Sequence, residues 1–229
     1  MRSIEEKYAQ FRKPTGILGK DIVEQMNRHH NKLTTWGLSH INISTNATIL
    51  DIGCGGGMTL YFFAKNYPKC KTYGIDYSEI SIEASKKLNE KYIQKGIVKV
   101  QFASVSSLPF PDNMFDVVTG IETSYFWPDF SNNLKEILRV LKLNGILCLI
   151  NEVYKVDKEN NLVNLDEERK NEIEEWIKIE KITLYTPKEY QKFLKDVGYI
   201  DIETFEDKNK GWIVIKGKKQ YLNKLISSK

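Results

Sequence analysis

The sequence predicts an α/β chain: a doubly wound, mostly parallel sheet of about seven strands, with a C-terminal antiparallel hairpin and a helical N-terminal cap. Three observations predict it. Short apolar runs at 48–52, 72–75, 98–102, 115–121 and 146–150 are strand-length, bounded by Gly, Asp or Asn, and too apolar to be half exposed. Helix-period stretches separate them, so the strands run parallel with crossovers on both faces. Two further strand-like runs, 200–205 and 211–216, flank the polar turn EDKNKG, as an antiparallel hairpin at a sheet edge requires.

The elements follow in chain order. Residues 1–47 form the cap: Pro14-Thr15-Gly16 marks a turn, and 20–36 reads as one helix with Ile22, Val23, Met26 and Leu33 near one face. Residues 48–217 form the main domain. After the second strand, Ile80, Ala84, Leu88 and Tyr92 repeat every four residues, with Ser78 as N-cap and Gly96 past the end. Leu134, Ile137, Leu138 and Leu141 mark another helix, with Ser131 at the N-cap and Gly145 beyond. Residues 154–185 are an insertion whose helix covers Ile173, Trp176 and Ile177. Thr186-Pro187-Lys188-Glu189 combines a capping box with proline at the first helical position, and Gly198 follows the stripe Tyr190, Phe193, Leu194, Val197. Residues 218–229 are a basic tail.

Composition narrows the class. With 41% hydrophobic and 28% charged residues over 229 positions, the chain is globular. There is no apolar run of about 18 residues and no apolar leader, so a cytoplasmic protein without a membrane span is expected. The net charge is +4; the seven Lys and one Asp of 207–229 contribute +6 of it, which leaves −2 for the rest. Such an end is either a solvated lysine-rich segment or a docking surface for nucleic acid; arginines and clustered aromatics are missing from it, which favours the first. Cys54, Cys70 and Cys148 lack pairing and metal-ligand spacing, so reduced thiols are expected. His29 and His30 are adjacent, and neighbours on a helix diverge by about 100°, so no metal site is expected there.

The chemistry concentrates at ILDIGCGGGMTL, where four of the five residues 53–57 are glycine. A phosphate loop needs Gly-Lys-Ser/Thr, but Met58 and Thr59 follow Gly57. A dinucleotide fingerprint needs a third glycine where Met58 stands, which leaves a dehydrogenase the weakest reading. Asp51 points a negative charge at the ligand, which is wrong for a pyrophosphate and right for an ammonium or sulfonium cation. Asp76 ends the next strand, 19 residues after Gly57, placed to accept two ribose hydroxyls; Tyr77 beside it can lie on an adenine face or pack on the rim.

Together with YGIDYSEISIEASKKLN, SSLPFPDNMFDVV and LKEILRVLKLNGILCLI, this stretch resembles the class I S-adenosylmethionine-dependent methyltransferases, specifically the type 11 methyltransferase domain, over about 46–152. The resemblance implies the Rossmann-like fold, S-adenosylmethionine as cofactor and S-adenosylhomocysteine as product. It implies that Asp51 holds the methionine amino group, that Gly53 and Gly55 admit the ligand to the backbone, and that Asp76 binds the ribose. Ser104 and Val105 fall where the family contacts the adenine edge, and Glu122 lines the sulfonium and acceptor side. The family usually carries Asp at the position of Ser104; a neutral hydroxyl makes a weaker bond there, about 0.5–1.5 kcal/mol against about 1.5–3 for a charged one.

The acceptor side is less specific. Tyr125 and Trp127 follow Glu122 and either cage an amine, cover an apolar substrate or anchor the loop. His30, on a stripe with Met26 and Leu33, and Glu122 are the candidate bases, each with a purely structural or solvated alternative. The sequence thus predicts methyl transfer by in-line displacement to a small-molecule acceptor. Methylation of protein or RNA, with the tail as docking surface, and a non-catalytic S-adenosylmethionine sensor are the alternatives. Nothing in the sequence speaks to oligomeric state.

Overall fold

The computed structural model describes residues 4–156, 162 and 166–220. In its sheet, β1 (Thr48–Ile52) is flanked by β2 (Lys71–Asp76) and by the central strand β4 (Phe115–Ile121), with β3 (Val98–Phe102) beyond β2. β5 (Leu141–Asn151) pairs with β4, then β7 (Trp212–Lys219), then β6 (Tyr199–Asp207) at the edge, giving the order β3-β2-β1-β4-β5-β7-β6. The first five strands are parallel, while β7 pairs antiparallel with both β5 and β6. The expected sheet and its terminal hairpin are therefore present, but the edge strand β3 is not buried as expected: Lys99, Gln101 and Phe102 are exposed, because nothing among the described residues pairs with its outer side. β1 and β4 are buried on both faces, so apolar residues occupy both parities: Leu50 and Val118 enter one core, Ile49 and Val117 the other.

Helices cover both faces. α1 (Ile4–Arg12), α2 (Gly16–His29) and α3 (Asn31–Leu38) precede the sheet. α3 packs Leu33 and Leu38 on the Ile49 side, and Gly37 lets it approach Ile150, whose Cδ1 would lie 2.4 Å from an added Cβ. α4 (Met58–Asn66), α5 (Glu79–Leu88) and α6 (Glu90–Gln94) serve the first crossovers. α7 (Phe130–Val140) buries Leu134, Ile137 and Val140; α8 (Glu167–Glu180) and α9 (Pro187–Val197) complete the set. The α9 capping box forms as expected, with Glu189 N–H donating to Thr186 Oγ1 (3.2 Å) and Thr186 N–H to Glu189 Oε2 (2.8 Å).

Four local expectations are corrected. The helix expected over 20–36 is two helices, interrupted at His30 (φ −79°, ψ −2°). α7 is capped by Asp129, not Ser131: the Asp129 carboxylate accepts from Asn132 N–H at 3.0 Å, a charge-assisted bond. Leu141 leaves the helix and opens β5, and Gly145 lies within that strand beside a register shift rather than past a helix end. On α5 the buried face is Ser81, Ile82 and Ser85, while Leu88 is 37% exposed. The glycine loop causes this last departure, because it lies directly on that face. Asn89 Nδ2 donates to Gly57 O (2.9 Å), and a Cβ on Gly57 would sit 2.3 Å from Ser85 Oγ. Of the expected tail, Lys218 and Lys219 belong to β7, so the boundary at 217 falls inside a strand. Residues 221–229 lie outside the described residues, as do 157–161 and 163–165 of the insertion.

The glycine contacts generate a prediction. Gly57 has φ +82° and no room for Cβ; Gly55 has φ +49° and open space around it. Gly55→Ala should cost only the left-handed backbone term, about 1–2 kcal/mol. Gly57→Ala should add overpacking of about 1–3 kcal/mol, read by urea denaturation. Equal destabilisation of the two variants would show that the loop does not bear on α5 as described.

Candidate active site

The carboxyl ends of β1, β2 and β4 open on a cavity of about 350 Å³. Its floor is the glycine loop, fastened by two backbone donors: Gly53 and Cys54 N–H both reach Ile75 O, at 2.8 and 2.9 Å. Gly53 (φ +69°) packs against Thr123, whose Oγ1 would lie 2.3 Å from a Cβ. Gly55 instead faces open space. Cys54 is buried and its thiol is pushed well up by burial and by the charges of Asp76 and Asp51, so it stays protonated and unreactive.

Two buried carboxylates flank this floor. Asp51 accepts from Thr119 Oγ1 (2.7 Å); burial pushes it up to about 7 against that bond, and the Asp76 charge adds to the rise. Asp76 accepts from Gly55 N–H (3.0 Å, Oδ2) and Ser78 N–H (2.8 Å, Oδ1). Burial raises it, opposed by the backbone donors of Ser78, Gly55 and Tyr77. Ser78 caps α5 through Ser81 N–H, leaving Asp76 free of that task.

Tyr77, Ser104 and Val105 line the same cavity. The Tyr77 hydroxyl donates to Arg12 O (2.7 Å), so it also ties the end of α1 to the rim. Ser104 is exposed and its Oγ accepts from Ser106 N–H (3.3 Å); Val105 is buried. Asn27 donates to Gly56 O (3.3 Å) and packs so close that no Cβ fits on Gly56.

A second cavity, of about 540 Å³, adjoins the first and shares Phe11, Met26, His30, Glu122 and Phe126 with it. α1, the C-terminal end of α2, and α8 enclose it. Glu122 stands where the two meet, in the left-handed region at φ 55°, a conformation that costs a non-glycine residue about 1–3 kcal/mol and clusters at functional sites. Its Oε2 accepts from Tyr125 OH (2.8 Å) and its Oε1 from Glu152 N–H (2.5 Å). Burial and the Glu152 charge push Glu122 well up. Burial acts the same way on Glu152, but the His29 hydrogen bond and the charges of His30, His29 and Arg169 hold it below the ordinary range. Burial lowers His30, so its imidazole is neutral near pH 7.

The structure divides the two expected acceptor-side aromatics. Trp127 lines the first cavity, stacked on Phe130, with its buried Nε1 lacking a hydrogen-bond partner among the described residues. Tyr125 lines the second, edge-on to Trp176 at 5.3 Å. Sequence reasoning missed Arg12, Asn27, Glu152 and Arg169. Glu152 had a signal: it follows β5 as Glu122 follows β4, on the same rim. Arg12 had none, since its role depends on α1 meeting α8, where it pairs with Glu180 at 3.0 Å and lies over the Phe126 ring.

Residues 50–149 match the family model described as a methyltransferase domain. A demethylmenaquinone methyltransferase of Symbiobacterium thermophilum is 37% identical over 103 residues, covering 44% of this chain and 41% of that one. The chain spans less than two thirds of the length of the curated relatives it matches. A structure of the Haloferax volcanii Trm112 methyltransferase activator in complex with a methyltransferase is similar at TM-score 0.73 and 18% identity, covering 96% of this chain and 100% of that one. An S-adenosylmethionine-dependent methyltransferase of Aquifex aeolicus is similar at TM-score 0.67 and 20% identity, covering 87% and 98%. Residues 50–149 thus carry a methyltransferase domain, set in a seven-stranded sheet with a C-terminal antiparallel pair, the fold of its S-adenosylmethionine-dependent methyltransferase neighbours.

Proposed function

We propose that this protein transfers the methyl group of S-adenosylmethionine to a small-molecule acceptor held in the second cavity. The observation that carries the reading is the pairing of two sites. Buried Asp51 and Asp76 flank the bare Gly55 in one cavity, and a second cavity meets it across Glu122 and His30. The cofactor supplies a methyl group already activated on a sulfonium. Asp51 receives the methionine ammonium, Gly53 and Gly55 admit the ligand to the backbone, and Asp76 accepts from the ribose hydroxyls. Tyr77, Ser104 and Val105 receive the adenine.

The protein's further contribution is alignment and exclusion of water. α1, α2, the start of α3 and α8 line the cavities. Tyr125 borders the acceptor in the second cavity, Trp127 walls the first, and His30, which lines both, orients the acceptor. Glu122 accepts the acceptor's proton where one is lost, since a raised carboxyl is the better base near neutrality. A small-molecule acceptor suits a cavity of about 540 Å³ that is open on one side, and the Symbiobacterium relative is named for one. Among the described residues no helix is long and apolar enough to cross a membrane.

The function is tested with S-adenosylmethionine labelled in its methyl group, incubated with a cell extract split into metabolites, protein and RNA. Label should enter the metabolites; label in protein or RNA instead would overturn the small-molecule acceptor. Asp76→Ala should abolish that transfer and weaken S-adenosylhomocysteine binding at least about 30-fold by calorimetry, roughly 2 kcal/mol for bonds to a charged group. An unaffected affinity would remove Asp76 from the site. Glu122→Gln should lower labelling by about 10²–10⁴-fold with that affinity unchanged. Retained labelling would mean that Glu122 moves no proton.

Asp51 sets a pH dependence. An ammonium ligand needs the carboxylate, and the free protein holds Asp51 at about 7. Binding of S-adenosylhomocysteine should therefore strengthen about tenfold per pH unit on rising toward 7 and level off above it. Asp51→Asn should flatten the profile; a flat profile in the unsubstituted protein would remove the ammonium from Asp51.

A further inference from the structure

We propose that His29, His30 and Glu152 bind one divalent first-row transition-metal ion on the wall of the second cavity, where it coordinates an acceptor oxygen. The sequence argues against a shared site for adjacent histidines, because a continuous helix splays them. The fold removes that objection. α2 ends at His29, α3 starts at Asn31, and His30 is the joint between them. The two rings meet edge to face, 5.4 Å apart at 71°, and both line the same cavity.

Glu152 arrives from the end of β5 and completes the set. Its Oε2 lies 3.2 Å from His29 Nε2, and one donor atom from each of the three residues falls within 4.8 Å of the others. Donors at about 2.0–2.2 Å from a tetrahedral ion lie about 3.4 Å apart, so side-chain rotation alone closes the set. The carboxylate is also held from behind. Arg169 Nη2 sits 3.3 Å from Glu152 Oε1, and the Glu152 N–H donates to Glu122, which leaves Oε2 turned to the histidines. Outer partners of this kind orient a metal ligand, and removing one typically costs 10–100-fold in affinity.

Two imidazoles and a carboxylate suit ions such as Zn²⁺ or Co²⁺ and leave at least one position open to the cavity. An acceptor hydroxyl bound there is acidified by the cation. Its O–H bond breaks and the proton passes to Glu122. The oxygen lone pair forms the bond to the methyl carbon, the carbon–sulfur bond breaks, and sulfur keeps that pair as a neutral thioether. The oxygen acceptor rests on the methyl-transfer reading; metal binding does not.

The test uses the full chain freed of metal by a chelator and titrated with Co²⁺, followed by the visible d–d absorption of the bound ion. One Co²⁺ per chain should bind and be displaced by Zn²⁺. His29→Ala should weaken it at least tenfold; its side chain is 65% exposed, so this variant tests the site without a core defect. Glu152→Gln should weaken it similarly, and His40→Ala, in the turn beyond α3, should leave it unchanged. No d–d band, a stoichiometry well below one, or equal affinities in His29→Ala and the unsubstituted chain would overturn the site. S-adenosylhomocysteine calorimetry on the same samples separates the two readings. Ligand binding without Co²⁺ binding removes only the metal, and Co²⁺ binding without ligand binding removes only the methyl-transfer reading. If Zn²⁺ binds yet leaves labelling of the metabolite fraction unchanged, the acceptor oxygen is not coordinated.

Discussion

The Asp76 carboxylate is the fastening on which the site depends. It ends one strand, and its two oxygens take the N–H of Gly55 from the glycine loop and of Ser78 from the start of α5. One side chain thus ties together the loop, the strand tip and the helix entrance. The arrangement explains why the loop is so bare. Side chains on Gly53, Gly56 and Gly57 would meet Thr123, Asn27 and Ser85, respectively. Gly55 alone faces space, and that space is the cavity.

The same region carries a cost. Asp51 and Asp76 are buried near each other, and no cation among the described residues bonds to either carboxylate. Asp51's folded value of about 7 lies above its ordinary 3.8, so the free protein loses stability as pH rises from about 4 through about 7. A cationic ligand supplies the missing counter-charge. Stability of the empty protein and affinity for such a ligand therefore move in opposite directions across that interval. Such opposition is the usual mark of a site arranged for a partner rather than for its own rigidity.

The sheet was largely legible because β1, β2, β3 and β4 are bounded by turn-forming residues and, in β1 and β4, filled on both faces. The lining of the first cavity was legible because the glycines and the two acids stand at strand ends that a parallel sheet brings to one rim. What escaped has physical reasons. The apolar stripe on α5 was misread because its packing face must be small enough to receive the glycine loop, and small polar residues carry no hydrophobic signal. Leu141 continues the helical period yet belongs to β5, since periodicity does not report where a helix gives way directly to a strand. The break at His30 has neither glycine nor proline to announce it. Glu152 and Arg169 matter only because β5, α2 and α8 converge, a long-range fact that local pattern does not encode.

Arg12 illustrates that convergence. Its carbonyl receives the Tyr77 hydroxyl at the rim of the first cavity, and its guanidinium pairs with Glu180 of α8 and lies over Phe126 at the wall of the second. One residue therefore latches both chambers. Any swing of α1 that frees one of them loosens the other, so the two cavities open and close together.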